Sequence, residues 1–349
     1  MQKIRIKICD YGKNKVTSDH FIIGALSKYY EIELSENPDY LFYHEAAYDH
    51  LKYDCIKIFY TGENISPNFN LCDYAISFDH LTFEDRHYRL PLYLIKVFYN
   101  KDEIQLVGND YLNKSDLFTK NELAHKTGFC SFVYSNYRAE EQRKIIFDKL
   151  SEYKKVDAGG GYLNNIGGRV NNKLEFEMKH KFSIAFENSS RSGYTTEKIV
   201  SSLVAKTIPI YWGNPNIGNE FNTKRFINCH DYASFDEVLV KVKELDNNDE
   251  LYIKMLNEPI VAAGYNFDEV KNGFDLFLKN IIDQPLHLAR RSTINPVRSA
   301  EMQKYETIVS KYVTGKAILH KIMALFYKPF KKLAFFEKLK YMYFRRKSN

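Results

Sequence analysis

Residues 182–213, FSIAFENSSRSGYTTEKIVSSLVAKTIPIYWG, decide the fold. FSIAFEN is short and apolar, as a buried strand should be, and TIPIYWG reads the same way. Between them TTEKIVSSLVAK has helical spacing, with threonines at its start. Strand, helix and strand joined by short connections are the signature of a parallel α/β sheet.

The same alternation extends outward. Upstream lie the strand GFCSFVYSN, the helix EEQRKIIFDKL and the glycine-rich turn DAGGGYLNNIGG; downstream lies the helix SFDEVLVKVKEL. Nearer the N-terminus IRIKI, DYLFYH, CIKIFYTGE and DYAISFD are strand-like, with polar or glycine-bearing ends. Because the alternation occurs twice, the expected architecture is α/β, with two Rossmann-like domains facing one cleft. The first spans residues 1–127 and the second residues 128–285, followed by a basic tail over 286–349.

Composition agrees with such cores: 44% of residues are hydrophobic and 15% aromatic, which excludes a disordered chain. The five cysteines, Cys9, Cys55, Cys72, Cys130 and Cys229, are scattered without a C-x-x-C pair. They read as reduced thiols of a cytoplasmic protein rather than a zinc site. MQKIRIKICD alternates and so reads as a strand, not a signal peptide, and no run of about 18 apolar residues occurs.

The net charge of +6 is unevenly placed. From Lys304 onward 12 Lys and Arg face 2 Glu, leaving 38 against 42 acids in the rest. A mildly acidic body argues against nucleic acid as a partner. In the tail Ile318, Leu319, Ile322, Met323, Leu325 and Phe326 crowd one helical face, with Lys316, His320, Lys321 and Lys328 off it. That pattern suits an anionic membrane surface, which would place the protein peripherally on the inner face of the cytoplasmic membrane. Packing of the stripe on protein is the alternative.

Two stretches carry chemistry. In FENSSRSGYTTEKI (186–199), Asn188 follows a buried strand and a helix opens at Thr195 or Thr196. Ligands of open α/β sheets bind beyond strand carboxyl ends, and helix N-termini offer N–H groups to phosphate. Lys198 in the first turn can neutralise a diphosphate, and Glu197 can hold sugar hydroxyls; a capped helix with a surface Glu–Lys pair is the plain alternative. In YTGENISPNFNLCDYAISFD (60–79), Glu63 stands at the carboxyl end of the strand CIKIFY, where a general base could take the proton of an attacking hydroxyl. No D-x-D triplet occurs, so a metal-free diphosphate site built from Arg, Lys and helix dipole is expected, with Arg143 one candidate cation.

FEN…GYTTEKI…IPIYWGNP…FN…RFIN closely resembles the defining block of the α-1,3/4-fucosyltransferases, glycosyltransferase family 10. FYTGEN…PNFN…DYAI.FD…F.DR..R.PLY is similar to its bacterial, Lewis-antigen type, and FVYSN, the R-x-x-x-F-D-K-L helix with YKKVDAGGG, and NN-x-G fit between. The likeness runs from about residue 1 to 285. It implies a GT-B fold with an N-terminal acceptor-binding half and a C-terminal half for GDP-fucose. It also implies inverting transfer of L-fucose to the 3-hydroxyl of N-acetylglucosamine in a β-galactosyl, N-acetyllactosamine-type acceptor. By the same resemblance Glu63 aligns with the general base, Arg143 and Lys198 with diphosphate ligands, and Glu197 with a ligand of nucleotide-sugar hydroxyls. Asn188 and Tyr194 fall at other donor-contacting positions, and no cofactor is implied beyond the GDP-fucose substrate.

The seven-residue repeats frequent in bacterial members are missing, which leaves oligomeric state open. Thr195 stands where some relatives carry Val. Specificity for α-1,4 or for both linkages remains an alternative. So do a silent glycan-binding protein and a membrane-associated scaffold.

Overall fold

A computed structural model of the protein describes residues 1–9, 20–44, 48–99, 117–137, 139–291, 297, 300–312 and 315. β1 (Gln2–Cys9) buries Ile4, Ile6 and Ile8 on one face, as its alternation requires. It lies inside a six-stranded sheet with β2 (Tyr30–Leu34), β3 (Tyr40–Tyr43), β4 (Ile56–Tyr60), β5 (Tyr74–Ser77) and β6 (His87–Arg89). The order is β2-β1-β3-β4-β5-β6, and every pairing is parallel. Helices α1 (Phe21–Leu26) and α2 (Leu92–Tyr99) pack on this sheet.

After α3 (Lys120–Ala124), opened by a Thr119–Glu122 capping box, the second sheet begins with β7 (Gly128–Phe132). Then come α4 (Gln142–Ser151), β8 (Val156–Ala158), α5 (Lys173–Met178), β9 (His180–Phe186), α6 (Glu197–Val204), β10 (Ile208–Trp212), β11 (Ile227–Asn228), α7 (Phe235–Asp246) and α8 (Asp249–Leu256). The five strands take the order β11-β10-β9-β7-β8, again all parallel. The strands quoted from the sequence are all present. β2, β6, β8 and β11 were not foreseen: β6, β8 and β11 have three residues or fewer, too short to show a period, and β2 is half polar.

The C-terminal region departs from a division of the chain at residue 285. α9 (Phe267–Ile282) turns back and inserts Phe274, Phe277, Leu278, Ile281 and Ile282 into the core of the first half. Each such side chain contributes roughly 1.5–3 kcal/mol on burial. Tyr30 and Tyr40 donate their hydroxyls to Asp283 Oδ1 at 2.6 Å and to the Ile282 carbonyl at 3.2 Å. After α10 (Leu286–Ala289), Arg291 pairs with Asp85 of the first half at 2.9 Å. By packing, residues 267–291 therefore go with the first sheet. Residues 300–312 are helical, and Gln303 donates to the Leu51 carbonyl at 3.1 Å. The amphipathic stretch 316–328 lies outside the described residues.

The halves also share apolar surface directly. Ile199, Val200, Leu203 and Val204 of α6 join the cluster that holds Tyr93, Leu94 and Val97 of α2. The helix beginning at the carboxyl end of β9 is thereby set against the first half.

Candidate active site

β4 ends at Tyr60, and the chain turns outward through Thr61, whose Oγ1 accepts the Glu63 backbone N–H at 3.0 Å. This local turn leaves the Glu63 side chain exposed. Its neighbour Asn64 reaches the second half: Nδ2 donates to Ser189 Oγ, and Oδ1 accepts from Arg191 Nη1 at 3.1 Å. Arg191 also pairs with Asp79 at 2.8 Å and lies over the Phe78 ring at 5.0 Å. Arg89 adds a further tie, donating to the Gly193 carbonyl at 3.3 Å and pairing with buried Glu220. Gly193 has φ +80°, and a Cβ there would stand 2.5 Å from the Phe78 carbonyl oxygen, so this crossing admits only glycine. A recess of about 440 Å³ opens beside it, lined from both halves by Ser66, Phe69, His80, Asp79 and Arg191.

On the second half Tyr194 is buried edge-on against Phe78, with ring centroids 5.1 Å apart. Burial, with the carboxylates of Glu187, Glu63 and Glu197, pushes its hydroxyl pKa up.

Thr196 precedes α6 and makes no side-chain cap of its own. The cap comes from Glu187, a fully buried carboxylate just beyond β9 that accepts the Thr196 N–H at 2.7 Å. Glu187 Oε2 accepts from Thr196 Oγ1 at 2.7 Å and from Lys198 Nζ at 2.8 Å. Burial opposes the Lys198 charge, but the Glu187 and Glu197 carboxylates outweigh it and raise its pKa above the usual lysine value. For Glu197, burial is outweighed by Lys198, Lys173, its own backbone N–H and Lys96 of the first half, which hold the carboxyl below its usual range.

Arg143 faces inward. It is 2% exposed, and its guanidinium lies 4.1 Å from the centre of the Tyr134 ring. Nη2 donates to the Phe186 carbonyl at 3.0 Å and to Asn188 Oδ1 at 2.8 Å; Nη1 donates to the Asn136 carbonyl at 3.2 Å. Among the described residues Nε is buried without a partner, and a recess of about 390 Å³ lined by Tyr137, Glu140 and Tyr162 opens at this arginine.

The six residues named from the sequence thus gather at facing sheet ends: Glu63 on the first half, and Arg143, Asn188, Tyr194, Glu197 and Lys198 on the second. Glu187, Arg191 and Arg89 were missed. For Glu187 a signal existed, since in FSIAFEN it falls on the Ser183–Ala185 face, a carboxylate at the end of a buried strand.

Two parallel α/β sheets with the candidate residues gathered at their carboxyl edges fit a GT-B glycosyltransferase architecture. Residues 6–98 match the family model of the α-(1,3)-fucosyltransferase FucT N-terminal domain, and residues 123–257 that of the glycosyltransferase family 10 (fucosyltransferase) C-terminal region. A crystal structure of an α1,3-fucosyltransferase with GDP-fucose superimposes with a TM-score of 0.64 at 32% identity, covering 82% of this chain and 93% of that one. The chain belongs to glycosyltransferase family 10. The α-(1,3)-fucosyltransferase FucT of Helicobacter pylori is 38% identical over 261 residues, 67% of this chain and 54% of the relative. The human 4-galactosyl-N-acetylglucosaminide 3-α-L-fucosyltransferase 9 is 28% identical over 172 residues, 48% of this chain and 46% of the relative. The chain spans about half the length of each of these two relatives.

Proposed function

We propose that the protein is an inverting α-1,3-fucosyltransferase that moves L-fucose from GDP-fucose to the 3-hydroxyl of N-acetylglucosamine in a β-galactosyl acceptor. The observation that carries this reading is the exposed Glu63 carboxylate set across from a helix N-terminus whose first-turn lysine stays charged. Two names support the chemistry: the solved α1,3-fucosyltransferase was crystallised with GDP-fucose, and the human relative is named for a 4-galactosyl-N-acetylglucosaminide acceptor.

In this mechanism the diphosphate rests against the first turn of α6 and Lys198, with Arg143 behind it. Departure of GDP builds negative charge on the β-phosphate, and these preorganised cations meet it where it forms. Glu63 takes the proton of the acceptor hydroxyl as the oxygen attacks the opposite face of the sugar. The β-linked donor thus gives an α-linked product, and closure of the two halves is expected to accompany it. The recess at Asp79 and Arg191 offers aromatic and charged groups beside the Glu63 loop for the acceptor glycan. A panel of galactosylated N-acetylglucosamine acceptors, with products read by linkage NMR, tests the reading. An exclusively α-1,4-linked product would overturn the linkage assigned.

With no D-x-D triplet in the sequence, transfer is expected to persist at undiminished rate in excess EDTA. Complete inhibition reversed by divalent metal would refute a cation-only diphosphate site. The basic tail is proposed to hold the protein on an anionic inner leaflet, near lipid-linked glycan acceptors, because its cations each contribute about 1 kcal/mol there. A truncation after residue 315 should keep transfer to a soluble acceptor and lose flotation with anionic liposomes. Equal flotation of both proteins would rule the membrane role out.

A further inference from the structure

We propose that Glu187 is a positioning residue of the donor site, acting through Lys198: it fixes the ammonium so that one of its three hydrogens is left for an anionic ligand. The proposal rests on the donor-site reading of Lys198. Nζ donates one hydrogen to Glu187 Oε2 and one to Thr196 Oγ1, each at 2.8 Å. Thr196 Oγ1 passes its own hydrogen to Glu187, closing a three-membered ring of hydrogen bonds beneath the helix N-terminus. Glu187 has no exposed surface, whereas the Lys198 side chain keeps 15% of its own. Among the described residues the third hydrogen meets no protein acceptor, and the 15% of the side chain that stays exposed leaves it to solvent or a ligand.

Stability alone is a poor reason for this arrangement. A buried ion pair is often no better than apolar residues of the same volume, and a neutral side chain can cap a helix. What the carboxylate adds is a fixed direction for a side chain with four rotatable bonds, whose freedom would otherwise be lost on each binding event.

Positioning and simple charge balance predict opposite signs. If Glu187 only neutralised Lys198, Glu187→Gln would leave a stronger cation and tighten GDP binding. If it positions Lys198, Glu187→Gln weakens GDP binding by about tenfold, roughly the value of one well-directed charge-assisted bond. In a Lys198→Ala background the same change has no further effect. Calorimetric titration of GDP into the wild type, both single variants and the double variant reads this cycle, with thermal melts to verify folding. Should Glu187→Gln fail to fold, Glu187→Asp serves: it keeps the charge, cannot span both partners, and should still weaken GDP. Unchanged or tighter GDP in the Glu187 variant overturns the proposal. Losses that add in the double variant also overturn it, while leaving Lys198 as a donor ligand. An unchanged affinity in Lys198→Ala overturns both.

Discussion

Glu63→Gln is expected to lower the turnover number by about 10²–10⁴-fold, the usual cost of removing general-base help. GDP affinity should stay within about twofold of the wild type, since the residue sits on the first half and touches no group of the proposed diphosphate site. The substitution keeps the side-chain volume and the turn, because the Thr61 bond is to the Glu63 backbone rather than its carboxylate. A loss of turnover therefore cannot be blamed on misfolding of the loop. Near-normal transfer by Glu63→Gln, measured with saturating donor and acceptor, would remove Glu63 from the mechanism.

Lys198→Ala and Arg143→Ala should each weaken GDP by about 10- to 150-fold, the range for a lost charge-assisted contact. They should differ in stability. Arg143→Ala removes the cation over Tyr134 and the hydrogen bonds to Phe186, Asn188 and Asn136, a loss of about 3 kcal/mol that lowers the melting temperature. Lys198→Ala leaves the Glu187 side chain buried without its cation. In the wild type the sign is that of a raised lysine. The lysine's own contribution is full below the ordinary value of 10.5 and lost only as pH rises through the higher folded value. Lys198 should therefore keep its charge through pH 10. Unchanged GDP affinity in both variants would sink the cationic diphosphate site.

The sequence by itself determined the longer strands, the helices α4, α6 and α7, and that the strands run parallel. Buried strands need near-continuous apolar runs such as FSIAF, and helices announce their starts. It also placed Glu63 just beyond a strand's carboxyl end and Lys198 in the first turn of a helix, because position along an element is local information. What a side chain meets there is not local. Arg191 finds Asp79 and Asn64, and Tyr40 finds Ile282, across 112, 127 and 242 residues, and nothing in either partner's neighbourhood marks the other. Tertiary structure alone turned Arg143 inward onto Tyr134, and it alone carried α9 back across the first sheet. An amphipathic helix shows that it has an apolar face, while the sheet that covers that face is chosen by the packing of the whole chain.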